Sequence, residues 1–215
     1  MVPTETLSRP KMFCKCMGIG TKSALTKTRP ATKEQKLREL VLYISEQCRG
    51  DQTFGATKQH KLLFYADFLA YLNFGEAITG QEYFRLPNGP ALKRWLPLRD
   101  KMLADGDITI EKGEFHGFPQ HRTIPLRKAD VSVFTANEIN LIKSIVEMHR
   151  GKTAAEINDE SHEFIGWRLA QEQEIIPYSV VRLKQRKPSA SELEHGKRLE
   201  KKAKEALARH GRKAA

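Results

Sequence analysis

Between Lys58 and Asn73 the chain places Leu62, Leu63, Phe64, Tyr65, Ala66, Phe68, Leu69, Ala70, Tyr71 and Leu72 with almost nothing polar between them. Coiled as a helix, this stretch is apolar around most of its circumference, and such a helix must be contacted from several sides. The rest of the fold therefore has to be arranged around it. Asp67 is the exception inside the run. A carboxylate there either reaches solvent through a gap or accepts hydrogen bonds from a neighbouring turn, because an unpaired buried charge is costly. Bracing, rather than chemistry, is its expected role.

Around this segment the pattern predicts further helices. Thr32-x-x-Gln35 reads as a capping box, and Leu37, Leu40, Val41 and Ile44 follow at helical spacing to about Gln47, with Gly50 and Asp51 as the stop. After Gly75, Ile78-Thr79-Gly80 and Pro87-Asn88-Gly89-Pro90 are turn formers that bracket the strand-like Glu82-Tyr83-Phe84-Arg85. Pro90 suits the first position of a helix, so a helix is predicted over Ala91–Ala104, bent at Pro97. Leu92, Trp95, Leu96, Leu98 and Met102 would face inward, and Lys93, Arg94, Arg99 and Lys101 outward. Residues 108–127 change to a period of two with glycine turns, which predicts a hairpin or small sheet. Thr135-x-x-Glu138 and Thr153-x-x-Glu156 are capping boxes, a short helix is expected around Ser161–Gln171, and Ile175-Ile-Pro-Tyr178 reads as an extended return.

The fold class that results is mainly α (α+β): a single helical domain over residues 32–183, with a small β-hairpin or sheet and flexible basic tails. Residues 1–31 read as a disordered basic leader, or as a reading frame whose true start is Met12 or Met17. Residues 184–215 read as a basic tail with a thin, Ala-rich apolar stripe opening at Ser191-x-x-Glu194, frayed or at most marginally helical without a partner.

Charge follows the same division. Of the net +11, residues 1–29 carry +5, residues 182–215 carry +8, and residues 30–181 carry −2. A nucleic-acid reader usually has its cations on the folded surface, whereas here the centre is nearly neutral. Weak nucleic-acid contact by the tails is the residual possibility on this side. Cys14, Cys16 and Cys48 form neither a disulfide framework nor a zinc set, no apolar run reaches a bilayer span, and a cytoplasmic protein with reduced thiols is expected.

The sequence has no Gly-x-Ser-x-Gly, no His-Glu-x-x-His, no phosphate loop and no Cys-x-x-Cys. Ser161-His162-Glu163 cannot act as a triad, because adjacent helix residues point in different directions. His116 and His121 lack a carboxylate or thiol at ligand spacing. The expectation is a protein with no catalytic, cofactor or metal residues, not an enzyme. What stands out instead is the aromatic and arginine group Tyr83, Arg85, Arg94, Trp95 and Arg99 around a rigid turn, residue types suited to protein–protein binding.

The run His60-Lys61-Leu62-Leu63-Phe64-Tyr65-Ala66-Asp67-Phe68, then Ile78-Thr79-Gly80, Tyr83 and Leu86-Pro87-Asn88-Gly89-Pro90, resembles the Panacea domain of SocA-like antitoxins. The likeness continues through Asp130-Val-Ser-Val-Phe134, Thr153-Ala-Ala-Glu156, Ser161-His162-Glu163, Gly166-Trp167 and Ile176-Pro177-Tyr178, spanning about residues 33–183. Phe64-Tyr65 departs from the Tyr-Phe or Tyr-Tyr of many members. The resemblance implies a helical domain that neutralises a cognate toxin by direct contact, with delivery to a protease such as ClpXP in some members. It implies structural roles for Leu63, Tyr65, Asp67, Thr79, Gly80, Asn88, Gly89, Pro90, His162 and Trp167, and no catalytic residue.

Overall fold

Thr32 starts the first helix by accepting the N–H of Gln35 on its hydroxyl at 3.1 Å, and α1 runs Lys33–Gln47. The structure is a computed structural model and describes residues 31–183 and 189–211. The basic leader with Cys14 and Cys16 lies outside the described residues. Cys48 is a free thiol inside the core, its pKa pushed up to about 12 by burial and then by the nearby Asp51 carboxylate.

The apolar segment forms α2, Ala56–Phe74, which ends at Gly75 in the left-handed conformation. Leu62, Leu63, Phe64, Ala66 and Phe68 are all buried, and α1, the helices over residues 136–148 and 154–162 and both hairpins pack around α2. Complete burial of a Leu or Phe side chain of this kind contributes about 1.5–3 kcal/mol each. Phe64 and Phe68 also meet Tyr83 and Phe164 edge to face, with ring centroids 5.1 to 5.8 Å apart, the arrangement that aromatic quadrupoles favour.

The segment after Gly75 differs in one respect from the pattern. Tyr83–Leu86 is strand β1 as expected, but Gly89–Leu92 is a second strand, β2, paired antiparallel to it from Tyr83↔Leu92 to Leu86↔Gly89. Pro90 therefore sits in a strand and does not open a helix. Helix α3 starts later, at Trp95, and ends at Ala104; Pro97 falls in its first turn and interrupts nothing. Trp95, Leu98 and Met102 face inward as predicted, whereas Leu96 is 58% exposed.

Strands β3, Ile108–Phe115, and β4, Phe118–Pro125, form the expected hairpin, closed by His116 and Gly117, both at positive φ as a tight two-residue hairpin loop requires. It is tied down at several points. Thr123 donates to Gln59 Oε1 at 2.6 Å, Arg122 donates to the Asp51 carbonyl at 3.1 Å, and Gln120 Nε2 donates to the Gln52 carbonyl at 3.0 Å. Arg127 reaches both Glu39 on α1 (2.7 Å) and Asp107 (2.6 Å), so the loops at either end of the hairpin are clamped to α1.

Capping boxes complete in both directions open α4, Ala136–Met148, and α5, Ala154–His162. Where one helix was expected around Ser161–Gln171, α5 ends at His162 and a separate short α6 spans Ile165–Leu169. The extended return is present: Ile175 bridges Phe84 and flanks β1, before a 3-10 turn at Tyr178–Arg182. Helix α7, Ala190–Gly211, is capped by Ser189, two residues earlier than the sequence pattern suggested; where its side chains are described they are exposed. No helix among the described residues is long and apolar enough to cross a membrane.

Candidate functional site

The two turns that bracket β1 and β2 are both held from α2. Asp67, 0% exposed, accepts the backbone N–H of Thr79 at 2.6 Å, the Thr79 hydroxyl at 2.5 Å and the Tyr83 hydroxyl at 2.9 Å. Tyr178 donates to the Gln81 carbonyl at 2.5 Å and lies 3.4 Å from the same carboxylate. Burial raises the Asp67 pKa, against the hydrogen bonds from Thr79, Tyr83 and Tyr178 that favour its charged form. Of the two roles open to Asp67, it takes the second, accepting from a neighbouring turn.

Nearer the start of the same helix, Lys61 does the corresponding work for the second turn. Its ammonium, on a residue 2% exposed, donates to the carbonyls of Asn88 and of Pro90, the latter at 3.0 Å. No carboxylate among the described residues lies within ion-pair distance of it, and burial lowers its pKa to about 7. Gly89, between those carbonyls, has φ +87°, and an added Cβ would collide with Ser161 Oγ and lie 2.8 Å from Lys61 Nζ. Glycine is required there both by conformation and by space. Lys58, a turn further back, is buried too, but its three donors go to Asp51 (2.6 Å), Thr53 (2.7 Å) and the Lys152 carbonyl (3.0 Å).

The residues expected to bind a partner divide. Tyr83 is 0% exposed and Trp95 is buried in the core, so neither offers surface. Arg85 is half-buried: its guanidinium lies 4.4 Å from the Trp167 ring centre and donates to the Ala170 carbonyl at 2.7 Å. Trp167 stacks on His162 at 4.0 Å and donates its indole N–H to Leu86 O at 3.0 Å, which fastens the hairpin to α5 and α6. Arg94 is exposed at the start of α3, and Arg99, half-buried on that helix, pairs with Asp100 at 2.7 Å. Beside them a groove of about 430 Å³ runs between α3 and the start of α1, lined among others by Lys33, Arg94, Pro97 and Lys101.

Of the residues given structural roles, Leu63, Asp67, Thr79, Gly89 and Pro90 are interior and Gly80 takes the left-handed φ of +60°. Asn88 is exposed and serves through its carbonyl, and Tyr65 stacks on His149 at 4.8 Å. Lys61 and Tyr178 stand in the runs that carry the resemblance, but sequence reasoning gave neither a role. A cation at position 61 of an otherwise apolar helix is the signal that marks the first. The second is marked only by its place at the end of the extended return and by its polar tip.

A comparison with family models matches residues 60–168, half of the chain, to a family described as "Antitoxin SocA-like, Panacea domain". That span contains both turn-holding residues of α2, both hairpins and Trp167. No curated protein and no solved structure gives a significant match.

Proposed function

Since the chain belongs to the SocA-like antitoxin family with a Panacea domain, and so has a toxin–antitoxin role with a toxin as its general partner, we propose that it neutralises a cognate toxin protein in the cytoplasm by direct binding and catalyses nothing. One observation carries this reading. The groups with the most chemical potential are spent in the interior, Asp67 and Lys61 on the two turns and Ser161 on the Asn158 carbonyl of its own helix, while α3, which follows the hairpin those turns hold, carries exposed side chains. A surface fixed before its partner arrives loses less entropy on association. The outer side of α3 suits the role, with Leu96 exposed on the helix and Arg94 and Lys101 lining the groove against the start of α1. Co-expression with the toxic product of the neighbouring reading frame tests it. Arg94→Glu with Arg99→Glu should abolish rescue of growth and weaken the complex by about tenfold or more; full rescue with unchanged affinity rejects this face.

A second reading, weak nucleic-acid binding by the tails, is favoured by α7 alone, an exposed helix with Lys197, Arg198, Lys201, Lys202 and Lys204. Removal of residues 184–215 should then eliminate both the binding and its salt dependence.

A further inference from the structure

We propose that the outer edge of β3 is a self-association surface, which pairs antiparallel with the same edge of a second copy of this chain about a two-fold axis at Gly113. The β3–β4 hairpin is a sheet of two strands, so the outer edge of each lies outside the ladder. Strand β4 packs against α1 and α2, whereas in β3 the residues Glu111, Lys112, Gly113 and Glu114 are exposed in succession. The loop residues His116 and Gly117 both have positive φ, and in a two-residue loop of this kind the flanking Phe115 and Phe118 form a hydrogen-bonded pair. Such pairs alternate along an antiparallel ladder, so Gly113, Glu111 and Thr109 also bond to β4, while Ile110, Lys112 and Glu114 turn their N–H and C=O groups outward. Pro119 and Pro125, which lack an N–H, stand opposite Glu114 and Ile108, where the ladder requires none. No described residue takes up the outward backbone groups of Ile110, Lys112 or Glu114.

An open edge is a template for a further strand, and charged side chains commonly guard it. On β3 the charges instead select one register. Only Ile110, Lys112 and Glu114 offer outward groups to bond one another, which leaves a short set of two-fold arrangements. Centred on Glu111, the pairing runs Glu114 onto Ile108, which is buried. Centred on Lys112 it sets that ammonium against its own copy, and centred on Glu114 it sets two carboxylates together; both are repulsive. Centred on Gly113, Lys112 faces Glu114 of the second copy and Glu114 faces its Lys112, so every charged cross-strand pair is of opposite sign and is also a hydrogen-bonded pair. The two Gly113 residues meet at the axis without side chains, where opposed Cα atoms come within about 4.5 Å. Lys112 and Glu114 are exposed and neither pairs with a described residue, so both are available.

Self-pairing needs no toxin, so its test stands apart from toxin binding. Sedimentation velocity of the full chain over about 1–200 µM should show a monomer–dimer equilibrium, with a dissociation constant of about 10–100 µM for a contact this small. Lys112→Glu should weaken it about tenfold or more, and so should Glu114→Lys. Mixed together, these two variants should pair with each other as tightly as the parent does with itself, because every charged cross-strand pair is again of opposite sign. Lys112→Pro removes an outward N–H, at a position equivalent to those that Pro119 and Pro125 hold in β4, so the hairpin should stay folded and the dimer should be lost. Thermal unfolding followed by circular dichroism checks the fold of each variant, and the two charge variants, both surface changes, carry the test if the proline variant unfolds. A parent that is monomeric throughout the range, a dimer indifferent to the variants that fold, or a mixture of the charge variants that stays monomeric overturns the proposal. A monomeric parent whose toxin binding is lost in Lys112→Pro gives the edge to the toxin and likewise rejects self-pairing.

Discussion

Asp67 and Lys61 sit less than two turns apart on the same helix, each fully buried and each holding one turn of the same hairpin, yet their surroundings are opposite. The carboxylate receives a backbone N–H and two hydroxyls at hydrogen-bond distance, with a third hydroxyl near it. The ammonium finds two carbonyls and no counter-charge. Burying an ionisable group is tolerable when the groups around it supply what water supplied. Asp67 is close to that condition; Lys61 meets it only in part, and the lowered pKa of the lysine is the physical record of the deficit. The first turn should therefore be the rigid anchor of the hairpin, and the second its adjustable end.

The largest expected effect comes from removing the better-satisfied partner. Asp67→Ala leaves the Thr79 amide and the Tyr83 hydroxyl as buried donors without acceptors, and should cost about 3 kcal/mol or more in urea unfolding. Lys61→Met should cost less, about 1–2 kcal/mol near neutral pH, since losing two carbonyl bonds is offset by no longer burying an ammonium. If the two variants are equally destabilised, the contrast fails.

Lys61 also sharpens the comparison through pH. The folded chain gives up this proton near pH 7, whereas the unfolded chain keeps it to about pH 10.4. Between those values the unfolded state binds more protons, so stability contributed by this site should rise as pH climbs from about 7 toward 10 and be flat below 7. Denaturation of the parent and of Lys61→Met across that window checks it: the rise should be absent from the variant. The smallest effect belongs to Tyr178→Phe, which removes the Gln81 bond and only a distant contact to Asp67, for about 1 kcal/mol.

Much of this arrangement is legible in the sequence because it is local. Thr135 and Thr153 announce their helices with a glutamate three residues on, and the period of two at 108–125 marks its hairpin. Asp67 in an apolar helix points to a turn as its partner. Pro90 misleads for a physical reason: a missing N–H is harmless both at a helix start and in a short strand, and only the pairing of Arg85 with Pro90 across the turn decides between them. Leu96 looks like core until the helix start moves to Trp95 and rotates it outward. Lys61 shows an anomaly but not its solution, whose carbonyls lie 27 and 29 residues away. Tyr83 and Trp95 have the composition of a binding site, and their burial withdraws them from it.

The central claim is that α2 fixes the hairpin, and with it the path into α3, before any toxin is bound. Amide hydrogen exchange of the free chain tests this at Thr79, Arg85, Lys93 and Ile176, whose N–H groups are bonded to Asp67, Glu174 O, Glu82 O and Tyr83 O. Strong protection is expected at all four in the free protein, little changed by toxin and lost together in Asp67→Ala. Amides that exchange freely alone and become protected only in the complex would contradict it.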